Sequence, residues 1–276
     1  MSTHTGLHRP HNEDAIGYLY PDDYDTLCER GALFVLADGV GSLPDGEKAS
    51  HYAVDRLIEL YYQMPLDMPS KEALERCIEQ VNAEVFRNFA KHMATTIVAV
   101  VVQQATVITA SVGDSRMYWF TGDDITQYTQ DHTMSYVNEK NQKRNKLTRA
   151  IGHREEVRVD IHTDLITRGQ GLLIVSDGAT AYLNEDDLLT VMRESPREIV
   201  RDIIHYSNLG GGHDNISAIM ISVDDLLPDA ATLKHHLKAL EISGVNIIID
   251  NQDANTTQPS SGHWLRRWMS FFNSNT

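Results

Sequence analysis

The sequence has 276 residues, with 39 acidic side chains against 24 Lys and Arg, and the resulting formal charge of −15 speaks against a protein that tracks nucleic-acid phosphates. Hydrophobic residues at 41% and charged residues at 23% are ordinary globular usage, which excludes disordered or collagen-like architecture for most of the length. A chain this long buries a core without staples, and Cys28 and Cys77 match neither a disulfide framework nor a thiolate zinc spacing, which fits a reducing compartment.

Residues 1–14 lack the apolar stretch of ~7–15 residues that a secretory signal needs. The longest clean apolar run, 97–102, is far short of the ~20 residues that span a bilayer. The expectation is a soluble cytoplasmic protein. A first strand is predicted at 15–19. The continuous run Ala-Leu-Phe-Val-Leu-Ala at 32–37 suits a strand buried on both faces, and it stops at Asp38-Gly39. The period then changes: Ala49, Tyr52, Ala53, Leu57, Leu60 and Tyr61 recur at steps of three and four, one face of a helix that Pro65 and Pro69 end. Leu74, Cys77, Ile78, Val81, Val85 and Phe89 form a second such stripe, with Ser70 as the expected N-cap. β-Branched and aromatic runs at 96–102, 105–112, 117–120 and 125–128 follow, joined by links too short for helical crossovers, so neighbouring strands there are expected to be antiparallel. Val157, Val159 and Ile161 alternate as a half-buried strand, and 172–175 is a short buried run ending at Ser176-Asp177-Gly178. Helical patterns cover 186–193 and 197–207, and 216–223 is one more strand. Helices clustered with helices and strands with strands define an α+β layered domain of antiparallel sheets, not alternating βαβ units. Beyond Pro228 one more helix is predicted at 230–240, and 251–262 turns polar and aperiodic, a linker.

Three of these strands share a grammar. Residues 33–39 read Leu-Phe-Val-Leu-Ala-Asp-Gly, residues 172–178 read Leu-Leu-Ile-Val-Ser-Asp-Gly, and 109–116 read Thr-Ala-Ser-Val-Gly-Asp-Ser-Arg. Each reaches a carboxylate (Asp38, Asp177, Asp114) beside a glycine that lets backbone or ligand approach closely. Taken singly, Asp-Gly makes turns, as Asp45-Gly46 is expected to do. Two further segments put acids at strand boundaries: Arg9-Pro-His-Asn12-Glu13-Asp14, and Gly-Gly-Gly-His-Asp214-Asn215. Several carboxylates in one cleft repel one another unless cations compensate, and an all-oxygen ligand set selects hard divalent ions such as Mg2+ or Mn2+ over zinc. The 13 histidines are scattered without metal spacing, and none is taken as a site residue.

With these segments in place, the chain resembles the metal-dependent serine/threonine protein phosphatases of the protein phosphatase 2C family, in their compact bacterial form. Arg9 with Asn12-Glu13-Asp14, Ala37-Asp38-Gly39-Val40-Gly41, Thr95-Thr96, the segment from Ser111 through Asp114 to Arg116, Asp131-His132, the segment from Leu147 to Gly152, Ser176-Asp177-Gly178 and Asp214-Asn215 all fall in the family's order. The resemblance implies a four-layer α-β-β-α sandwich of two antiparallel sheets flanked by helices. It is taken as a catalytic domain at 1–227, followed by a helical extension at 228–250 and a polar linker with a short amphipathic tail at 251–276. By the resemblance, Asp38 bridges two ions, Mn2+ or Mg2+, with the Gly39 carbonyl on one, while Asp177 and Asp214 hold the other. Glu13 and Asp14 serve the same cluster, directly or through water, and Asp114 with Asp177 takes a third, weaker ion. Arg9 matches the phosphate-binding arginine, whose planar fork grips two oxygens at once. Two such ions ~3.5–4 Å apart lower the pKa of a shared water toward ~7, so that hydroxide attacks phosphorus in line without a covalent phosphoenzyme. Phosphoserine and phosphothreonine in proteins are then the substrates, opposing a cellular Ser/Thr kinase, with no nucleic-acid partner.

The chain departs from the family pattern at a few places. Some members carry a histidine just after the Asp-Gly as acid for the leaving alkoxide; here that place is Val40, and the donor is unassigned. Ala94 precedes Thr95-Thr96 in place of the usual glycine, Ser42 replaces another, and the flap at 133–143 is shorter than in most bacterial relatives. The alternative these departures motivate is a catalytically silent phosphopeptide-binding module of the same fold. At the C-terminal end Trp264, Leu265, Trp268, Met269, Phe271 and Phe272 interleave with Arg266 and Arg267. Docking on the domain or a partner is favoured over membrane contact, since two arginines fall below the ~4–8 basic residues of a lipid-binding cluster.

Overall fold

The computed structural model describes residues 1–41, 45–88, 93–137, 143–194 and 198–223. The chain runs β1 (Ser2–His4), β2 (Asp14–Leu19), α1 (Tyr24–Arg30), β3 (Ala32–Asp38), α2 (Gly46–Gln63) and α3 (Ser70–Asn88). It continues through β4 (Ile97–Gln103), β5 (Thr106–Val112), β6 (Arg116–Thr121), β7 (Asp124–Gln127), β8 (Thr133–Val137) and β9 (Lys143–Leu147). The remainder is β10 (Asp160–Leu165), β11 (Gln170–Val175), α4 (Asp177–Thr180), α5 (Glu185–Glu194), α6 (Ile199–Gly210) and β12 (Ile216–Ser222). The predicted helix at 230–240, the linker, the amphipathic tail and Phe89 lie outside the described residues.

One sheet has the order β10-β5-β4-β3-β2 and the other β1-β12-β11-β6-β7, and β8 and β9 pair as a separate hairpin. All pairs among the described strands are antiparallel. The strand period decides the layers. In β3, Leu33, Val35 and Ala37 pack with Leu57, Tyr61, Leu74 and Ile78 of α2 and α3, whereas Phe34 and Leu36 meet Met117, Ile174 and Ile219 of the opposite sheet. On the far side of that second sheet, Leu173, Val175 and Ala218 pack with Leu188, Val191 and Ile203 of α5 and α6. Both faces of each central strand are thus covered, which is why β3, β4 and β11 are continuous apolar runs instead of alternating ones. The result is the α-β-β-α sandwich that the sequence led us to expect.

Three local details differ from expectation. Ser70 opens α3 but its hydroxyl donates to the Glu29 carbonyl at 3.2 Å, tying α3 to the end of α1 instead of capping its own helix. The alternating Val157, Val159 and Ile161 do pack on the α2/α3 core, yet the ladder with β5 begins only at Asp160. β1, α1, the β8–β9 hairpin and the short α4 were not anticipated as elements. Among the described residues no helix is long and apolar enough to cross a membrane.

Candidate active site

Every predicted acid lies at the same edge of the two sheets. Asp14 opens β2 and faces Asp38 at the end of β3 across the ladder. Because β3, β4 and β5 alternate in direction, the end of β5 returns to that edge, two residues before Asp114. In the other sheet β11 and β12 are adjacent and antiparallel, so Asp177, just past β11, comes beside Asp214, just before β12. Arg9, in the link from β1 to β2, places Nη2 2.7 Å from Asp214 Oδ2 and Nη1 3.9 Å from Glu13 Oε2.

Backbone tethers hold this edge in place. The Asp38 N–H donates to Thr96 Oγ1 at 3.0 Å, and its carbonyl accepts from Thr95 Oγ1 and the Thr96 N–H, both at 2.8 Å. Thr96 Oγ1 lies 2.7 Å from Ser115 Oγ, so one hydroxyl links the backbone of Asp38 to the residue after Asp114. The Gly39 N–H donates to the Glu13 carbonyl at 3.0 Å. Asn215 staples the Arg9 loop: Oδ1 accepts from the Glu13 N–H at 2.8 Å, while Nδ2 donates to the carbonyls of Thr5 and His11 at 2.8 and 2.9 Å. Ser176 Oγ donates to Asp14 Oδ2 at 2.8 Å and accepts from the Ser217 N–H at 2.9 Å. Behind Asp114, Asp131 takes a forked pair of bonds from Arg116, at 3.0 Å from Nε and 2.8 Å from Nη2. Buried His132 accepts the Gly113 N–H on Nδ1 at 3.0 Å and faces Asp160 with Nε2 at 2.9 Å.

Two glycines at these turns sit against the site, Gly41 against movable side-chain ends and Gly178 against fixed backbone. A Cβ on Gly41 would lie 2.7 Å from Arg9 Nη1 and 2.9 Å from Glu13 Oε2. At Gly178 it would clash with the Asn215 carbonyl oxygen and touch Asp214 Cβ at 3.4 Å. Gly178→Ala is therefore expected to cost about 1–3 kcal/mol by overpacking, read as a lower urea midpoint, and to reduce activity with it by shifting Asp214.

The carboxylates strain against one another. Burial, opposed by the neighbouring Ser217 and Ser176 and reinforced by Asp177 and Asp214, pushes Asp14 up to about 7. Asp38 is held well above the usual carboxylate range, by burial first and then by the charges of Asp14, Asp177, Asp114 and Asp214. Burial, then Asp177 and Asp131, raises Asp114 to about 7. Asp177 keeps an accessible surface at the rim, yet the atoms crowding its carboxylate, followed by Asp214, raise it as well. Glu13 is raised by burial against the pull of Arg9. For Arg9, burial works against the charge, but the bond to Asp214 and the charges of Asp214, Glu13 and Asp38 hold its pKa above the ordinary value.

Glu13, Asp14, Asp38, Gly39, Asp114, Asp177, Asp214 and Arg9 are thus brought to one edge, although among the described residues no three His, Cys, Asp or Glu side chains close into a ready ion cage. Asp214 leans to Arg9 and Asp14 to Ser176, as mutually repelling acids take the nearest donor. Sequence reasoning gave no role to Thr96, Ser115, Ser176 or Asn215. All four stood in the motifs, but their work is to tether distant segments to one another, which spacing along the chain does not reveal.

Two stacked antiparallel sheets with acids and one arginine gathered at a shared edge define the layered α+β class to which the solved bacterial serine/threonine phosphatases also belong. The structure of the Staphylococcus aureus serine/threonine phosphatase Stp1 superposes with a TM-score of 0.69 at 25% identity, covering 81% of this chain and 94% of that one. PppA of Pseudomonas aeruginosa, described as a key regulatory component of T6SS, gives 0.66 at 26% identity over 80% of this chain and 95% of its own. The serine/threonine phosphatase stp of Listeria innocua is 28% identical over 240 residues, which are 79% of this chain and 93% of that protein. The family model described as protein phosphatase 2C matches residues 11–206, and the chain belongs to that family.

Proposed function

We propose that the chain hydrolyses phosphoserine and phosphothreonine in proteins, using Mg2+ or Mn2+ held by the acids at the sheet edge. The observation that carries this reading is Asp14 Oδ1, a buried carboxylate oxygen with no hydrogen-bond partner, set opposite Asp38 in the ladder. A buried anionic oxygen without a donor calls for a proton or a cation, and the donors converging around it are hard oxygens that suit Mg2+ or Mn2+. Asp38, Asp14, Glu13, the Gly39 carbonyl, Asp177 and Asp214 would hold two ions, and Asp114 with Asp177 a third. When bound, such ions supply hydroxide near neutral pH by acidifying water.

The chain's own residues do the rest. Arg9 stays charged, and with one Nη2–H on Asp214 its five-donor fork keeps further donors for phosphate oxygens, where charge grows during in-line displacement. Thr95 and Thr96 fix the backbone of Asp38, and Asn215 fixes the loop that carries Arg9. The bond from phosphorus to the seryl or threonyl oxygen breaks, and because Val40 has no proton to give, the departing oxygen draws its proton from water. Residues 1–227 carry this activity, against a Ser/Thr kinase in the same cytoplasm; the free, buried Cys28 and Cys77 suit that reducing setting.

Phosphothreonine-peptide hydrolysis tests the reading. Activity is expected with Mn2+, none with excess EDTA, and a loss of about 100-fold in kcat/KM for Arg9→Ala. Turnover that survives chelation, or peptide binding without turnover, overturns it.

A further inference from the structure

Three rings outside the acid cluster have no part in the chemistry above. His8 and His213 stack face to face, with centroids 4.5 Å apart and planes inclined by 12°. Tyr182 closes the group: its hydroxyl lies 2.6 Å from His213 Nδ1, and its ring centroid 6.3 Å from that of His213. The rings come from three segments, the β1–β2 link, the turn after α4 and the glycine run before β12, so tertiary structure alone assembles them. Gly211 makes room for them, since a Cβ there would lie 2.7 Å from His213 Nδ1 and 2.9 Å from the Tyr182 hydroxyl. Leu7 joins the same surface through its N–H, which donates to the Gly212 carbonyl at 2.8 Å. Both imidazoles are exposed, and Leu7 is 63% exposed.

The position of this surface gives it meaning. His8 immediately precedes Arg9 and His213 immediately precedes Asp214, the pair joined at 2.7 Å. A flat wall of aromatic rings therefore adjoins the guanidinium that would hold the phosphate. An extended peptide advances ~3.3 Å per residue, so a side chain one or two positions from a phosphoresidue held at Arg9 falls within reach of the wall. Flat rings beside that guanidinium favour stacking or apolar contact.

We propose that the His8–His213 stack, with Tyr182 and Leu7, seats an aromatic or large apolar side chain flanking the phosphorylated residue, so that this chain selects substrates by flank as well as by phosphate. The inference rests on the phosphatase reading above and deepens it. Its test is a set of phosphothreonine peptides in which each of the two positions on either side carries Phe, Gly or Glu in turn, assayed for kcat/KM with Mn2+. At one position Phe is expected to exceed Gly and Glu by about 5-fold. His8→Ala should bring the Phe-to-Gly ratio close to one, and His8→Phe should restore it. Each ratio is taken within a single enzyme, so a general change in activity does not move it. Equal rates for Phe and Gly at every position, or a preference that His8→Ala leaves intact, overturns the proposal while the phosphatase reading stands. Failure to hydrolyse any peptide sinks that reading and this seat with it.

Discussion

Asp38→Asn is expected to remove turnover and, in metal-free protein, to raise the melting temperature by a few degrees. The two effects share one cause. Asp38 is held well above the usual carboxylate range by burial and by the charges of Asp14, Asp177, Asp114 and Asp214. A neutral amide of the same shape relieves that repulsion, and the bonds from Thr95 and Thr96 reach only the backbone of Asp38, so the turn keeps its tethers. The same substitution takes away a carboxylate that would hold the proposed ions. Loss of a residue that merely orients a metal ligand costs ~10–100-fold, so loss of a proposed ligand itself should exceed about 100-fold in kcat/KM. Phosphopeptide hydrolysis at saturating Mn2+ and calorimetry in chelator measure the two sides. A variant that retains activity, or that melts below the parent when metal is absent, contradicts the assignment.

The same opposition between local stability and function explains what was legible in the sequence. Central strands such as β3 and β11 were readable because burial on both faces leaves no position for a polar residue, and their abrupt end at Asp-Gly marked the site. Acids placed where the apolar run stops break the local pattern, and that break is the signal. Val157, Val159 and Ile161 announced the strand a few residues early because their alternation records packing on α2 and α3, whereas the hydrogen-bonded ladder starts at Asp160 and includes Ile161. α1 escaped notice because it is seven residues long, capped by the Asp23 side chain on the Thr26 N–H, and buries few side chains of its own. The tethers at Ser176 and Asn215, and the ring stack of His8 with His213, join segments roughly two hundred residues apart or less by contacts that leave no period in the chain.

The crowding also fixes the sign of a pH dependence. Asp14 and Asp114 both sit at about 7 in the folded chain against an ordinary value of 3.8, so between those limits the folded state binds more protons than the unfolded one. Their contribution is fully present below the unfolded value and is lost as pH rises through the folded one. Glu84, lowered to about 2 beneath Arg56, and Asp160, lowered to about 2 beside Arg149 and His132, act in the opposite sense. Their stabilisation is full above the unfolded values of 4.5 and 3.8 and is lost as pH falls from there through about 2, below the window in question. Metal-free protein is therefore expected to melt on the order of 5–10 °C lower at pH 7.5 than at pH 5, as the buried acids ionise against one another. Saturating Mn2+ should reverse the slope, since ion and proton compete for the same oxygens and the ion wins as pH rises. Thermal melts in chelator and in Mn2+ across that range decide it: a melting temperature that climbs with pH in chelator would mean that these carboxylates are not forced together at the sheet edge.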